Sequence, residues 1–210
     1  KKSLAKKICF GSKNLKDLEK IISKNEIPLK GEFNFLNILA AVSAVKIFEI
    51  PEETIKQAIK SFKPLPHRLE FVGKYRGIEF YNDSLATVLQ ATIRAIEAMG
   101  NKIETLIFGG QDIEGLDFAP VGQNILKSKI KTLILFPDTD KKIAREIKKI
   151  QQCQVLPKLI KIFFVSSMRE AIKTAYENTA KEKICLLAPG TPSFNLFRNY
   201  KERGNLFKKH

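Results

Sequence analysis

Apolar residues along this chain follow two rhythms, and the change falls near LPHRLE (65–70), where Pro64 and Pro66 interrupt the preceding pattern. Before the break, KICFGS (7–12) reads as a short strand, followed by two stretches at helical spacing. The first runs from about Asn34 to Phe48, with Leu36, Ala40, Ala44 and Ile47 on one face. The second follows Pro51, carries Glu52 and Glu53 in its first turn, and repeats Ile55, Ile59 and Phe62. So few strands make a poor independent domain, which predicts that residues 1–66 are the tail of a larger one. After the break, LEFVGKY (69–75) and IEFY (78–81) flank Arg76-Gly77 as a hairpin. Helix patterns over 88–99, 118–127, 140–150, 168–180 and 192–203 then alternate with the apolar strands TLIF (105–108), TLILF (132–136), IFFV (162–165) and ICLLA (184–188). Continuously apolar strands separated by amphipathic helices predict an α/β, Rossmann-like domain over 67–210. Its sheet should be mostly parallel, with helices on both faces.

Composition agrees with a packed core: 210 residues, 44% hydrophobic and 28% charged. The longest nearly apolar stretch, LNILAAVSAV (36–45), is about half of what a helical membrane span needs. No membrane association is expected. The start, KKSLAKKICF, is basic without a long apolar run, so no secretory signal is expected there, and a first residue other than Met fits a piece of a longer chain. Cys9, Cys153 and Cys185 are few, odd in number and far apart, which predicts free thiols in a reducing, cytoplasmic setting. The net charge of +15 raises the question of nucleic acid. Thirty lysines outnumber seven arginines and are spread over every segment, whereas phosphate- and base-reading surfaces concentrate Arg among aromatics. A solvated lysine surface is the expectation; a non-enzymatic basic module binding nucleic acid or another polyanion is the alternative.

In an open parallel sheet, ligands bind beyond the carboxyl ends of the strands. Those ends here are YNDSLAT (81–87), GGQDIEGLDF (109–118), PDTD (137–140) and APGTPSF (188–194). Asp83 and Ser84 follow a strand, and Thr87-x-x-Gln90 reads as a capping box, which either shapes a turn or prepares a helix start for an anion. Thr191 with Pro192 reads as a second such start, with capping alone the competing explanation. Gly109-Gly110 either lets a ligand approach the backbone or is a simple loop with two glycines. Gly110 and Gly115 have P-loop spacing, but Leu116 and Asp117 stand where Lys and Ser/Thr are required, so no phosphate loop is present in this stretch. His67 reads as structural, with a catalytic base the weaker alternative, and Arg68 as an anion clamp. Two His and three scattered Cys predict no metal centre.

Taken in order, GEFNFLN (31–37), LPHRLE (65–70), YNDSLAT (81–87), LIFGGQDIEGLDF (106–118) and LLAPGTPSFNLFRNYKERGNLF (186–207) resemble the Mur ligase family over nearly the whole chain. The resemblance implies that 1–66 closes a central ATPase domain and that 67–210 is the C-terminal domain. It implies an ADP-forming amide ligase of peptidoglycan synthesis, acting as a monomer on UDP-MurNAc-L-alanine and glutamate through an acyl phosphate. ATP and Mg2+ would be held mainly by the upstream part, leaving the isolated chain inactive. Carried over by position, Asn34 and Asn37 fall at the adenine side, and Arg68 and Asp83 at phosphate and ribose. Thr87, Ser193 and Tyr200 line the amino-acid pocket in the same comparison. The family usually has Lys where Leu85 stands, Lys or Arg where Ile113 and Glu114 stand, and His where Phe33 stands. With those lysines gone, D- and L-glutamate both stay open, and Arg198 is the nearest replacement cation by sequence.

Overall fold

The computed structural model describes residue 11 and residues 14–153 and 159–210. The strand read at 7–12 therefore lies outside the described residues, Gly11 aside, as does Cys9. The chain divides into two compact units, Lys1–Pro64 and Leu65–His210.

The first unit is helical. Helix α1 (Leu15–Ile21) was not foreseen; α2 (Glu32–Val45) runs on into a tight turn at Lys46–Phe48, and α3 (Glu52–Ser61) follows Pro51. Leu18, Ile21 and Ile22 bury against Leu39 and Val42 of α2 and Ile55 of α3, which is why so short a helix as α1 is held at all.

In the second unit a six-stranded sheet is built from β1 (Glu70–Tyr75), β2 (Ile78–Asn82), β3 (Ile103–Phe108), β4 (Thr132–Leu135), β5 (Lys161–Phe164) and β6 (Ile184–Leu187). Between and after them come α4 (Leu89–Met99), α5 (Ala119–Lys127), α6 (Asp140–Gln152), α7 (Met168–Asn178) and α8 (Tyr200–Lys209). The strand order is β1-β2-β6-β3-β4-β5, with β1 antiparallel to β2 and every other pair parallel. Expected fold class and observed fold agree. Alternation divides the sheet: Ile107, Ile134, Cys185 and Leu187 face Met168, Ala171, Ile172 and Ala175 of α7 and Phe207 of α8. The intervening Leu106, Leu133, Leu135 and Leu186 are equally buried on the opposite side. Burial holds the Cys185 thiol far above its ordinary range, so it packs as an inert core residue.

Because β6 enters between β2 and β3, three loops meet at one edge: 83–88, 109–118 and 188–199. That convergence is the topological switch where such sheets bind ligands.

Two sequence expectations fail at this edge. The last helix begins at Tyr200, not 192. Asn199 caps it, accepting from Glu202 N at 3.0 Å, while Glu202 reaches back to Arg198 N at 2.6 Å. These two bonds define the helix start better than Thr191-Pro192, and Phe197, docked on Phe136 at 5.6 Å, belongs to the preceding turns. Nor does Thr87 cap α4: extended Val88 occupies the cap position and makes no side-chain bond. Gly190 N takes the Ala86 carbonyl at 2.8 Å, and Ala91 N bonds Val88 O, which fixes the entry one residue later.

Gly190 sits at φ +70°, and a methyl group there would lie 2.5 Å from Phe108 Cε2 and 2.8 Å from Thr92 Oγ1. Overpacking and left-handed strain act together, so Gly190→Ala should lower stability by about 2–4 kcal/mol. Urea unfolding measures this; a loss below about 1 kcal/mol would mean that the loop relaxes freely.

Candidate functional site

The exit of β2 carries an unusual density of buried polar groups: Asn82, Asp83 and Ser84 are all fully inaccessible. Asp83 Oδ1 accepts from Leu69 N at 3.2 Å and from Arg68 Nη1 at 3.5 Å, while its Oδ2 has no partner. Burial pushes the Asp83 carboxyl up to about 6, against the opposing pull of Arg68 and the Leu69 N–H. To present that N–H, His67 and Leu69 adopt left-handed backbone at φ 63° and 45°. Such conformations cost an L-residue about 1 kcal/mol or more each and persist where surrounding contacts enforce them. The enforcing contacts are visible: His67 N donates to Glu70 Oε2 at 2.8 Å, and Leu85 N donates to His67 O at 3.0 Å.

The His67 ring is structural. Asn82 Nδ2 donates to its Nδ1 at 3.0 Å, which requires the neutral Nε2–H tautomer. Burial, with Lys208 nearby, holds His67 below its ordinary value, consistent with that tautomer. Gly204 of α8 leaves room for the ring, and Tyr200 meets it edge-on at 6.1 Å. Glu70 resists the upward push of its burial through the His67 N–H and Lys208, which hold its carboxyl below the usual range.

Arg203 was absent from the sequence expectations, yet it organises the site. Its guanidinium is fully buried: Nε donates to Ser84 Oγ at 3.0 Å, Nη2 to Ser84 O at 2.9 Å, and Nη1 to Thr191 O at 3.1 Å. Ser84 Oγ donates onward to Tyr200 O at 2.7 Å. One side chain thus fastens the β2 and β6 exit loops and the start of α8. Burial pulls Arg203 down to about 9, so it remains charged at neutral pH. A lone Arg followed by Gly on a helix otherwise lined with Lys is the sequence signal that marks it.

The β3 exit joins the same cluster. Thr139 Oγ1 accepts from Gly110 N at 3.1 Å and donates to Gly110 O at 3.0 Å, and Gln111 N bonds Pro192 O at 3.0 Å. Asn195 Nδ2 donates to Pro137 O at 3.0 Å. A Cβ on Gly110 would lie 2.6 Å from Pro192 O, so what approaches this glycine closely is the β6 exit loop of the chain itself. Five buried side-chain oxygens are unpartnered among the described residues, and four of them, on Asp83, Asp112, Thr191 and Asn195, lie in these three loops. Buried acceptors of this kind call for a partner outside the chain, water or ligand.

The remaining expected residues are placed as follows. Ser193 is buried in the β6 exit loop, Thr87 half-buried in the β2 exit loop, and Tyr200 half-buried at the start of α8. Asn34 and Asn37 belong to the first unit. There, Asn34 Nδ2 donates to Lys30 O at 2.6 Å and its Oδ1 accepts from Asn37 Nδ2 at 3.2 Å. Among the described residues no helix is long and apolar enough to cross a membrane.

A family model described as Mur ligase, glutamate ligase domain, matches residues 67–191. The UDP-N-acetylmuramoylalanine–D-glutamate ligase of Caldicellulosiruptor bescii is 37% identical over 193 residues, covering 91% of this chain and 40% of that protein. The ligase of the same name from a Thermoanaerobacter species is 39% identical over 191 residues, again covering 91% of this chain and 40% of the relative. The chain therefore spans about 40% of the length of these curated relatives. Among solved structures, a pseudomurein peptide ligase type C from Methanothermus fervidus superposes with a TM-score of 0.61 at 20% identity, covering 87% of this chain and 37% of that one. The UDP-N-acetylmuramate–alanine ligase MurC of Thermotoga maritima gives 0.61 at 14% identity, covering 87% and 38%. These two likenesses speak for the fold.

An Asp ordinarily titrating at 3.8 is raised to about 6 here, so the folded state holds the Asp83 proton more tightly than the unfolded chain. The stability this contributes is complete below about pH 4 and lost as pH rises through 6, at most about 3 kcal/mol. Asp83→Asn keeps the acceptor for Leu69 but does not titrate. Its stability relative to wild type should therefore rise by up to that amount between pH 4 and 7, read by urea unfolding across the series. A difference independent of pH would mean that the carboxyl ionises normally.

Proposed function

The chain belongs to the Mur ligase family, and we propose that it is the part of an ATP-dependent amide ligase of peptidoglycan synthesis that closes on nucleotide and holds the incoming glutamate. The observation that carries this reading is the Asp83–Arg68 pair: a buried carboxylate with one oxygen unpartnered, beside a guanidinium whose side chain keeps 27% of its surface open. An orphaned acceptor suits a ribose hydroxyl, and a partly open guanidinium suits phosphate. In this reading the first unit ends the ATPase domain, with Asn34 and Asn37 at the adenine side. Thr87, Ser193 and Tyr200 line the amino-acid pocket, where Ser193 and Thr87 supply neutral donors for a carboxylate. In the same reading the Mg2+ that accompanies ATP is held mainly by the upstream part of the protein.

The chemistry is acyl transfer in two stages. The γ-phosphoryl group of ATP passes to the carboxylate of UDP-MurNAc-L-alanine, releasing ADP. The glutamate amine then attacks the acyl carbon, and the tetrahedral intermediate expels phosphate to leave the amide. What this chain contributes is orientation: its loops hold the amine donor at a fixed distance from the nucleotide side. The relatives are named for D-glutamate, and D-glutamate is the enantiomer proposed.

The test joins this chain to the remainder of the Caldicellulosiruptor bescii ligase. ADP release should require both UDP-MurNAc-L-alanine and glutamate, with D-glutamate preferred. Asp83→Asn should cut kcat/KM for ATP about 10- to 100-fold, the effect of one lost hydrogen bond to a charged group. The 210-residue chain alone should release no ADP. Preference for a neutral or basic amino acid, or ADP release indifferent to glutamate, would overturn the reading.

A further inference from the structure

Two of the seven arginines and two of the four tyrosines of this lysine-rich chain line one continuous groove of the second unit. We infer that this groove binds linked phosphates, as a free polyphosphate or as the backbone of a single nucleic-acid strand. Its narrower part, of about 170 Å3, lies among Tyr75, Phe80, Tyr176 and the last residues of α8. The wider part, of about 400 Å3, lies among Arg76, Arg169, Lys173 and Glu177. Ile172, Tyr176 and His210 belong to both. None of these residues is in the strand-exit loops 83–88, 109–118 or 188–199. Arg76 stands in the turn ahead of β2, at the end of that strand remote from its exit. The groove is therefore separate from the ligase site, and nothing about it depends on that reading.

Arg169 and Lys173 lie one helical turn apart on α7, and Tyr176 continues the same face. Nearby Lys208 and Lys74 are taken by Glu70 and Glu182. Arg76, Arg169, Lys173 and Lys209 meet no carboxylate among the described residues, and Glu177 is the one acidic side chain described in the lining. Arg76 is also held in place: its guanidinium lies over the Tyr176 ring at 4.9 Å. That contact uses the face of the guanidinium and leaves its in-plane N–H groups, unbonded among the described residues, for an acceptor. The Tyr75 and Tyr176 hydroxyls likewise bond no described residue. Burial holds the Tyr176 phenol above its ordinary range, so it stays a donor. Donors converging from a turn, a helix face and two phenols suit a tetrahedral group with oxygens on several sides; a planar carboxylate meets only some of them. The backbone under Arg76 adds a second observation. Arg76 and Gly77 form a two-residue turn between Tyr75 and Ile78, with φ of 51° and 83°. Such turns favour Asn, Asp or Gly at the first position, so an arginine there is a placement that folding alone does not select.

The experiment follows the fluorescence anisotropy of labelled dodecathymidylate titrated with the full 210-residue chain, with tripolyphosphate and dodecaglutamate as competitors. Arg76→Asn should weaken binding of the strand about 10-fold, the effect of one lost charge-assisted contact, and lower the salt slope by roughly 0.7. Its stability to urea should be equal or higher, because Asn suits the turn; a general loss of structure would do the opposite. Arg169→Gln, on a separate element, should weaken binding by a similar factor. Lys148→Gln removes the same charge from an exposed position on α6 and should change affinity less than about two-fold. Displacement by tripolyphosphate that requires Arg76 identifies free polyphosphate as a sufficient ligand. A strand that binds through Arg76 and resists tripolyphosphate identifies the nucleic-acid backbone, and either result supports the inference. Binding of neither phosphate probe overturns it, as does an affinity unchanged in Arg76→Asn or reduced equally in Lys148→Gln. Dodecaglutamate bound as tightly as dodecathymidylate also overturns it and assigns the groove to acidic protein segments.

Discussion

A guanidinium with no access to water holds the working edge of this sheet together. Removing a charge from water costs several kcal/mol, and Arg203 recovers it through three bonds to Ser84 and Thr191, with no carboxylate among the described ion pairs. Carboxylate pairing would satisfy the charge but not the geometry. Bonding two loop carbonyls instead fixes how far the β2 exit stands from the β6 exit, and so the spacing between the Asp83 side and the Ser193 side. Each acceptor would be left buried and unsatisfied without it.

The two ends of the sheet treat buried polarity differently. At the amino ends of the parallel strands, Glu104 is matched by Lys131 Nζ at 2.8 Å and Ala180 N at 2.6 Å, and Thr105 by Thr179 at 2.7 Å. At the carboxyl ends, Asp83, Asp112, Thr191 and Asn195 each keep an oxygen unmatched. Among the described residues, four of the five unmatched buried side-chain oxygens thus stand where loops converge, and the fifth is on Asn124 of α5. Left-handed His67 and Leu69 and the raised Asp83 carboxyl are further stability given up at that end. Concentrated local strain is the pattern of a site shaped for a ligand rather than for the free protein.

Much of the architecture was legible because its determinants are local. Runs such as TLIF and ICLLA, apolar on both faces, permit only a covered parallel sheet, and the intervening helices announce themselves by spacing. The strand exits followed directly, and with them Asp83 and the glycine pair, whereas Arg68 came from the break ahead of β1 and Ser193 from the family resemblance. Where local signals competed, the reading slipped. Ser193, Leu196 and Phe197 stand at helical spacing, but Phe197 is drawn onto Phe136, and the Asn199 cap starts the helix later.

What sequence by itself determined, then, is the alternation of elements, the sheet's parallel character and the positions of its exits, all set by periodicity and backbone preference over a few residues. Only the tertiary structure decided that β6 runs between β2 and β3, and hence which exits share an edge. It also decided that Arg203 turns inward among surface lysines and that Lys142 meets Asp112, thirty residues away. The reason is physical: a charged residue's partner is chosen by long-range packing and desolvation. Those are properties of neighbours in space, and spacing along the chain does not encode them.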